Sequence, residues 1–201
     1  RSMEASLANT VTSGDKVLFI TNGQFGERFA AIAEGIGLNA DSLEVPWGDS
    51  VDAATLSARL SETDYRALVV VHNESSTGAV ADLKMIGAIV RDTPTLLIVD
   101  SVSGLGGIEI QQDQWGIDIL VSASQKALMC PPGIGLVSVS EKAWQVVDSD
   151  APRARYYWDF RKARANAANG QTAFTPAVSL IYGLREALRM IDEEGLPNVL
   201  M

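Results

Sequence analysis

Two residues of this chain pair reactive chemistry with a place at the end of an apolar run. Lys126 closes the segment Ser122-Ala123-Ser124-Gln125-Lys126 and precedes Ala127-Leu128-Met129. Small polar neighbours before it and apolar ones after it predict an amine held in a partly dry pocket. Desolvation there lowers a lysine pKa and frees the lone pair to attack a carbonyl. An ordinary surface lysine fits the same residues. Asp100 ends the run Thr95-Leu96-Leu97-Ile98-Val99, and a carboxylate at the rim of a buried strand needs a partner. The residues leave four readings open: a helix cap, a hydrogen bond to the 101–107 loop, a metal ligand, or a partner for the protonated ring nitrogen of a cofactor. His72 is the only histidine; at a strand end it reads as a hydrogen-bonded structural residue rather than a general base.

The elements that must position these groups alternate along the chain. Residues 16–21, 67–72, 95–100, 117–122 and 135–139 read as strands. Residues 27–35, 82–91, 141–147 (with Ser140 as N-cap) and 177–194 carry helical periodicity, and Gly195-Leu196-Pro197 reads as the stop of the last helix. Alternation of this kind predicts crossover units and an α/β fold, a mostly parallel central sheet with helices on both faces. The unbroken apolar runs in 67–71 and 95–99 belong mid-sheet, covered on both faces. Open parallel sheets bind ligands at the carboxyl ends of their strands. Reading off those ends gives residues 21–26, 72–78, 100–101 and 122–126, rich in polar and ionisable groups.

With 201 residues and 47% apolar composition the chain can bury one substantial core, and no linker or repeat divides it. Its 25 acidic against 16 basic residues, net −9, argue against nucleic acid or an anionic membrane as partner by charge attraction. No apolar run approaches the roughly 18–20 residues of a membrane span. The residues that begin the chain show no basic n-region or apolar h-region of a secretory signal, and a single cysteine, Cys130, permits no internal disulfide; it reads as a small buried thiol, with a reducing cytoplasm as the simplest home. Gly104-Leu105-Gly106-Gly107 lacks the spacing of a dinucleotide loop.

The lysine segment, with Pro131-Pro132-Gly133 behind it, resembles the cofactor-lysine segment of the class V aminotransferases of fold type I. Four further stretches match in order: His72-Asn73-Glu74-Ser75-Ser76-Thr77-Gly78, Asp100-Ser101-Val102-Ser103, Trp115-Gly116-Ile117-Asp118, and Thr175-Pro176-Ala177 with Tyr182-Gly183-Leu184-Arg185. The resemblance covers most of the chain, from about residue 3 to 199, and within the class the chain is most similar to the serine–glyoxylate and alanine–glyoxylate branch. The resemblance implies pyridoxal phosphate as cofactor and a three-layer α/β/α large domain. It implies that Lys126 carries the cofactor as a Schiff base and transfers the proton, that Asp100 pairs with the ring nitrogen, and that Gln125 touches the phosphate. Phe25, where the family often has Trp, would stack on the ring; Ser75 would bond the ring oxygen, with Ser76 and Thr77 supporting that loop. Thr172 and Thr175 would reach the phosphate of a neighbouring subunit, making the protein a homodimer with shared active sites. Read without the resemblance, Phe25 is a core residue, Ser75 to Thr77 are turn residues, and Thr175 is a helix N-cap ahead of Pro176.

The implied reaction moves an amino group from a small amino acid of serine or alanine type to a 2-oxo acid such as glyoxylate or pyruvate. Residues 1–201 then form a cofactor-binding large domain, with a glycine-serine phosphate loop expected before Arg1 and a small domain, bearing the arginine for the substrate carboxylate, after Met201. Two rivals share the scaffold. A cysteine desulfurase or other lyase usually has His before the lysine and a catalytic Cys on a later loop, whereas this chain has Gln125 and Cys130. A non-catalytic subunit would bind no cofactor.

Overall fold

A computed structural model describes residues 1–151 and 153–200; Met201, the last residue of the expected domain, lies outside them. The strands are β1 (Lys16–Thr21), β2 (Asn39–Glu44), β3 (Ala67–Val71), β4 (Asn73–Glu74), β5 (Ala79–Val80), β6 (Leu96–Asp100), β7 (Ile119–Ala123) and β8 (Gly135–Val139). The helices are α1 (Ser2–Thr10), α2 (Gln24–Gly35), α3 (Ala53–Ser61), α4 (Leu83–Val90), α5 (Gln112–Trp115), α6 (Glu141–Asp148), α7 (Phe160–Ala167), α8 (Val178–Glu194) and α9 (Leu196–Val199).

Six strands form one sheet in the order β2-β1-β3-β6-β7-β8, and β4 and β5 pair as a small hairpin. All neighbours in the large sheet run parallel except β8, which turns back antiparallel on β7. The two unbroken apolar strands, β3 and β6, lie side by side at its centre, as expected. Alternate residues of each strand feed two cores. On one face Phe19, Val69, Ile98 and Val121 pack against Leu7 of α1, Phe29 of α2 and Ala143 of α6. On the other, Leu18, Leu68, Leu97 and Leu120 pack against Leu56 of α3 and Leu83, Ile86 and Val90 of α4. The result is the three-layer α/β/α fold.

The boundaries shift where local chemistry outweighs hydrophobic period. Asp82 and Ser140 each accept a hydrogen bond from the backbone N–H three residues on, so both stand as N-caps of α4 and α6. Thr175 does not cap α8: the cap position is Ala177, and no side chain bonds the first turn. Gly195 closes α8 in a left-handed conformation, φ 85°, as expected of a stop, but the chain then makes the short α9. Helix α2 starts at Gln24, three residues earlier than the apolar pattern predicts, and this carries Phe25 out of a loop and into the first helical turn.

Candidate active site

The carboxyl edge of the sheet is built from the ends of β1, β3, β6 and β7. Asp100 is the last residue of β6 and is 4% exposed. It pairs across the sheet with Val71 of β3 and Val121 of β7. Strand alternation puts it on the face of Leu96 and Ile98, beneath α1, α2 and α6. One carboxylate oxygen accepts the Val102 N–H at 2.9 Å, so the loop-bonding reading is realised at that atom. The other oxygen has no hydrogen-bond partner among the described residues. Burial raises the carboxyl to about 6, against the pull of the Val102 N–H and with a contribution from the Glu74 carboxylate.

Lys126 lies three residues past the end of β7, the strand beside β6. Ala123, the last residue of that strand, continues the Ile119 and Val121 face, the same face as Asp100. Adjacent strands stand about 4.8 Å apart, so the stem of the lysine turn and the buried carboxylate belong to one corner of the sheet edge. The turn is tied down by Ser124, which is fully buried. Its N–H donates to the Ile134 carbonyl, its carbonyl accepts from Cys130, and its hydroxyl donates to the Pro131 carbonyl. Beyond it, Ala127 packs on Gly107, Leu128 is buried, and Met129 holds a left-handed φ of 54° while donating its N–H to the Lys126 carbonyl.

The expectation of a partly dry pocket around Lys126 is not met. Lys126 and Gln125 are both exposed, because the loop buries Leu128 and Cys130 on its inner side and nothing among the described residues packs over the amine. Thr172 and Thr175 are exposed as well; the Thr172 hydroxyl donates to the Phe174 carbonyl two residues on.

Phe25 is half-buried in the first turn of α2, and the Arg28 guanidinium lies over its ring at 4.7 Å. Ser75 is exposed and donates to Ser103 at 2.8 Å, and Ser103 in turn donates to the Asn73 carbonyl. Thr77 supports the same turn, its hydroxyl donating to the Glu74 carbonyl and accepting the Ala79 N–H. His72 sits on the opposite face from Asp100, 2% exposed, with Nδ1 2.9 Å from the Ser101 hydroxyl. Burial pushes it down to about 4, leaving it a neutral structural residue at pH 7.

Sequence reasoning missed Glu74. Its fully buried carboxylate accepts the N–H groups of Phe25 (2.9 Å), Gly26 (3.1 Å) and Ser76 (3.1 Å) and the Ser76 hydroxyl (2.6 Å). The Ser76 oxygen accepts the Gln24 N–H. Gly23 is required by this approach, since a Cβ there would stand 2.4 Å from Cγ of Glu74. An acidic residue beside two serines at a strand end was the visible signal. Its partners lie 48 and 49 residues away, which no local pattern reveals.

An open α/β sheet that brings a lysine turn, a buried carboxylate and an aromatic first turn to its carboxyl edge has the architecture of fold type I pyridoxal phosphate enzymes. The family Aminotransferase class-V matches residues 3–200. An uncharacterized aminotransferase of Methanocaldococcus jannaschii is 42% identical over 199 residues, covering 98% of this chain and 52% of that protein. A serine–glyoxylate aminotransferase of Methylorubrum extorquens is 35% identical over 205 residues, covering 98% and 51%. The solved alanine–glyoxylate aminotransferase from Nostoc sp. superposes with a TM-score of 0.94 at 36% identity, covering 98% of this chain and 53% of that one. The chain belongs to the class-V aminotransferase family, whose cofactor is pyridoxal phosphate. It spans about half the length of the curated relatives it matches.

The residues present fit that cofactor. A buried carboxyl with one unpartnered oxygen and a raised pKa gains from meeting a cationic N–H donor, and a protonated pyridine is one. The N–H groups of α2 that would otherwise attract a phosphate are taken by Glu74 and Ser76.

Proposed function

We propose that the complete protein is an aminotransferase that passes an amino group from a small amino acid of serine or alanine type to a 2-oxo acid such as glyoxylate or pyruvate, and that this chain is its cofactor-binding large domain. One observation carries the reading: Asp100, buried with a free oxygen, ends the strand beside the one that delivers Lys126. The serine–glyoxylate and alanine–glyoxylate names of the relatives support the donor and acceptor classes.

Bound pyridoxal phosphate supplies a carbonyl for amine exchange and an electron-withdrawing ring. Lys126 would hold the cofactor through its amine and, with that amine free, would serve as the base that takes the substrate Cα proton and returns it. Asp100 would hold the ring nitrogen through its carboxylate and favour that nitrogen's protonated form. Phe25 would stack on the ring, Ser75 would bond the ring oxygen with its hydroxyl turned away from Ser103, Thr77 would hold the Ser75 turn, and Gln125 would reach the phosphate. Thr172 and Thr175 serve the phosphate of a second subunit. Their exposure, with that of Val178, Ile181 and Tyr182 at the start of α8, supports a homodimer. A cytoplasmic setting accords with the buried, unbridged Cys130.

The test is a donor and acceptor screen on the complete protein, with sulfide release from cysteine as the rival readout. Keto acid formed from serine or alanine with glyoxylate, lost in Lys126→Ala, is the expected result. Sulfide release without amino transfer would replace this reading with a desulfurase.

A further inference from the structure

Glu74 lies outside the roles assigned above, yet it joins two of the loops those roles depend on. The N-cap residue of α2 is Gly23, which has no side chain to bond the first turn. The exposed amides of that turn are met instead by Glu74 from across the edge: one carboxylate oxygen takes Phe25 and Gly26, the other takes Ser76 twice. The Glu74 main-chain carbonyl accepts the Thr77 and Gly78 N–H groups and closes the turn that carries Ser75. A single buried side chain thus fastens the aromatic turn of α2 to the serine turn.

We propose that Glu74 is a positioning residue for the cofactor ring: it holds Phe25 and Ser75 as one rigid unit, so the stacking face and the ring-oxygen donor arrive at a fixed separation. This rests on the aminotransferase reading. A carboxylate is needed because all its partners are donors, and an aminotransferase built this way has its ring seat set before the cofactor arrives. Glutamine in its place keeps the shape but turns an NH2 group toward either the α2 amides or Ser76, so one of the two connections is lost.

Glu74→Gln is compared with Asp118→Asn, a buried carboxylate at the opposite edge that accepts the Leu97 N–H and the Ser140 hydroxyl and lies 3.3 Å from the Lys142 ammonium. Both variants of the complete protein lose stability, which controls for a purely structural effect. Two readouts separate them: the dissociation constant of pyridoxal phosphate by visible titration, and hydrogen exchange of the Phe25 and Gly26 amides in the cofactor-free protein. Glu74→Gln is expected to weaken cofactor binding about tenfold or more and to speed those two amides by a similar factor. Asp118→Asn should leave both within about twofold. If Glu74→Gln does not fold, Ser76→Ala, which removes only the bridging hydroxyl, is expected to move both readouts the same way by about threefold. Equal effects of the Glu74 and Asp118 variants, or unchanged cofactor binding in the folded variant, overturn the proposal. A wild-type protein that binds no cofactor overturns the aminotransferase reading beneath it.

Discussion

The two edges of the sheet hold buried carboxylates under different terms. At the amino edge, the buried Asp118 accepts the Leu97 N–H on one oxygen and the Ser140 hydroxyl on the other, and lies 3.3 Å from the Lys142 ammonium. Both of its oxygens are matched by a donor from a neighbouring element, which is what holding strands in register requires. At the carboxyl edge, Asp100 has one hydrogen bond and a spare oxygen, and burial holds its carboxyl at about 6. That spare oxygen is not shut off from solvent, so it is open to a donor from outside the chain. Glu74 shows that the carboxyl edge can also be fully matched when its task is to hold loops. The contrast therefore separates individual residues and not merely two ends of the molecule.

Substitutions should break along that line. Lys126→Ala is expected to lower turnover of the complete protein at least about 10³-fold while leaving the melting temperature of the cofactor-free protein within about a degree, because the exposed side chain makes no hydrogen bond among the described residues. Steady-state kinetics beside a thermal melt checks both halves, and a large loss of stability would mean that the lysine is structural. Asp100→Asn, which keeps an acceptor for Val102, should cost about 10²-fold in turnover with little loss of stability. Asp118→Asn should do the reverse, losing about 2 kcal/mol in urea unfolding with turnover nearly intact.

A smaller effect concerns pH. Asp100, raised from 3.8 to about 6, binds a proton in the folded state that the unfolded chain has released, so its contribution to stability falls as pH rises from about 4 to 6. His72, lowered from 6.5 to about 4, is neutral when folded while the unfolded chain is protonated, so its contribution rises from about pH 4 to 6.5. The two oppose each other in the cofactor-free protein. Urea midpoints across that range should climb with pH in Asp100→Asn and decline in His72→Asn; parallel profiles in both would show that neither group titrates as its burial requires. The smallest change is at Met129, held at a left-handed φ of 54°. Met129→Asn should stabilise by up to about 1 kcal/mol, since Asn adopts that conformation more readily.

The parts legible in the sequence were those whose signal is local. β3 and β6 announce themselves as unbroken apolar runs, Asp100 could be located because it ends one of them, and Lys126 because it follows a recognisable strand. β2 could not be seen: Asn-Ala-Asp-Ser-Leu-Glu has no apolar stripe and is a strand only because it adds to the edge of β1. α1 hid for another reason. It buries Ser6, Asn9 and Thr10, whose side chains bond main-chain carbonyls three or four residues back, so its inner face looks polar. Glu74 needs partners from a helix 48 and 49 residues earlier in the chain, and the exposure of Lys126 depends on what packs over a loop. Both are properties of assembled elements and lie outside any single stretch of residues.

The most direct measurement is borohydride reduction of the complete protein in the presence of pyridoxal phosphate, followed by proteolysis and mass analysis. A pyridoxyl group is expected on the peptide carrying Lys126, with the visible cofactor band lost on reduction and lacking in Lys126→Ala. A label on another lysine, or no label despite bound cofactor, would contradict the assignment of the reactive amine to this edge of the sheet.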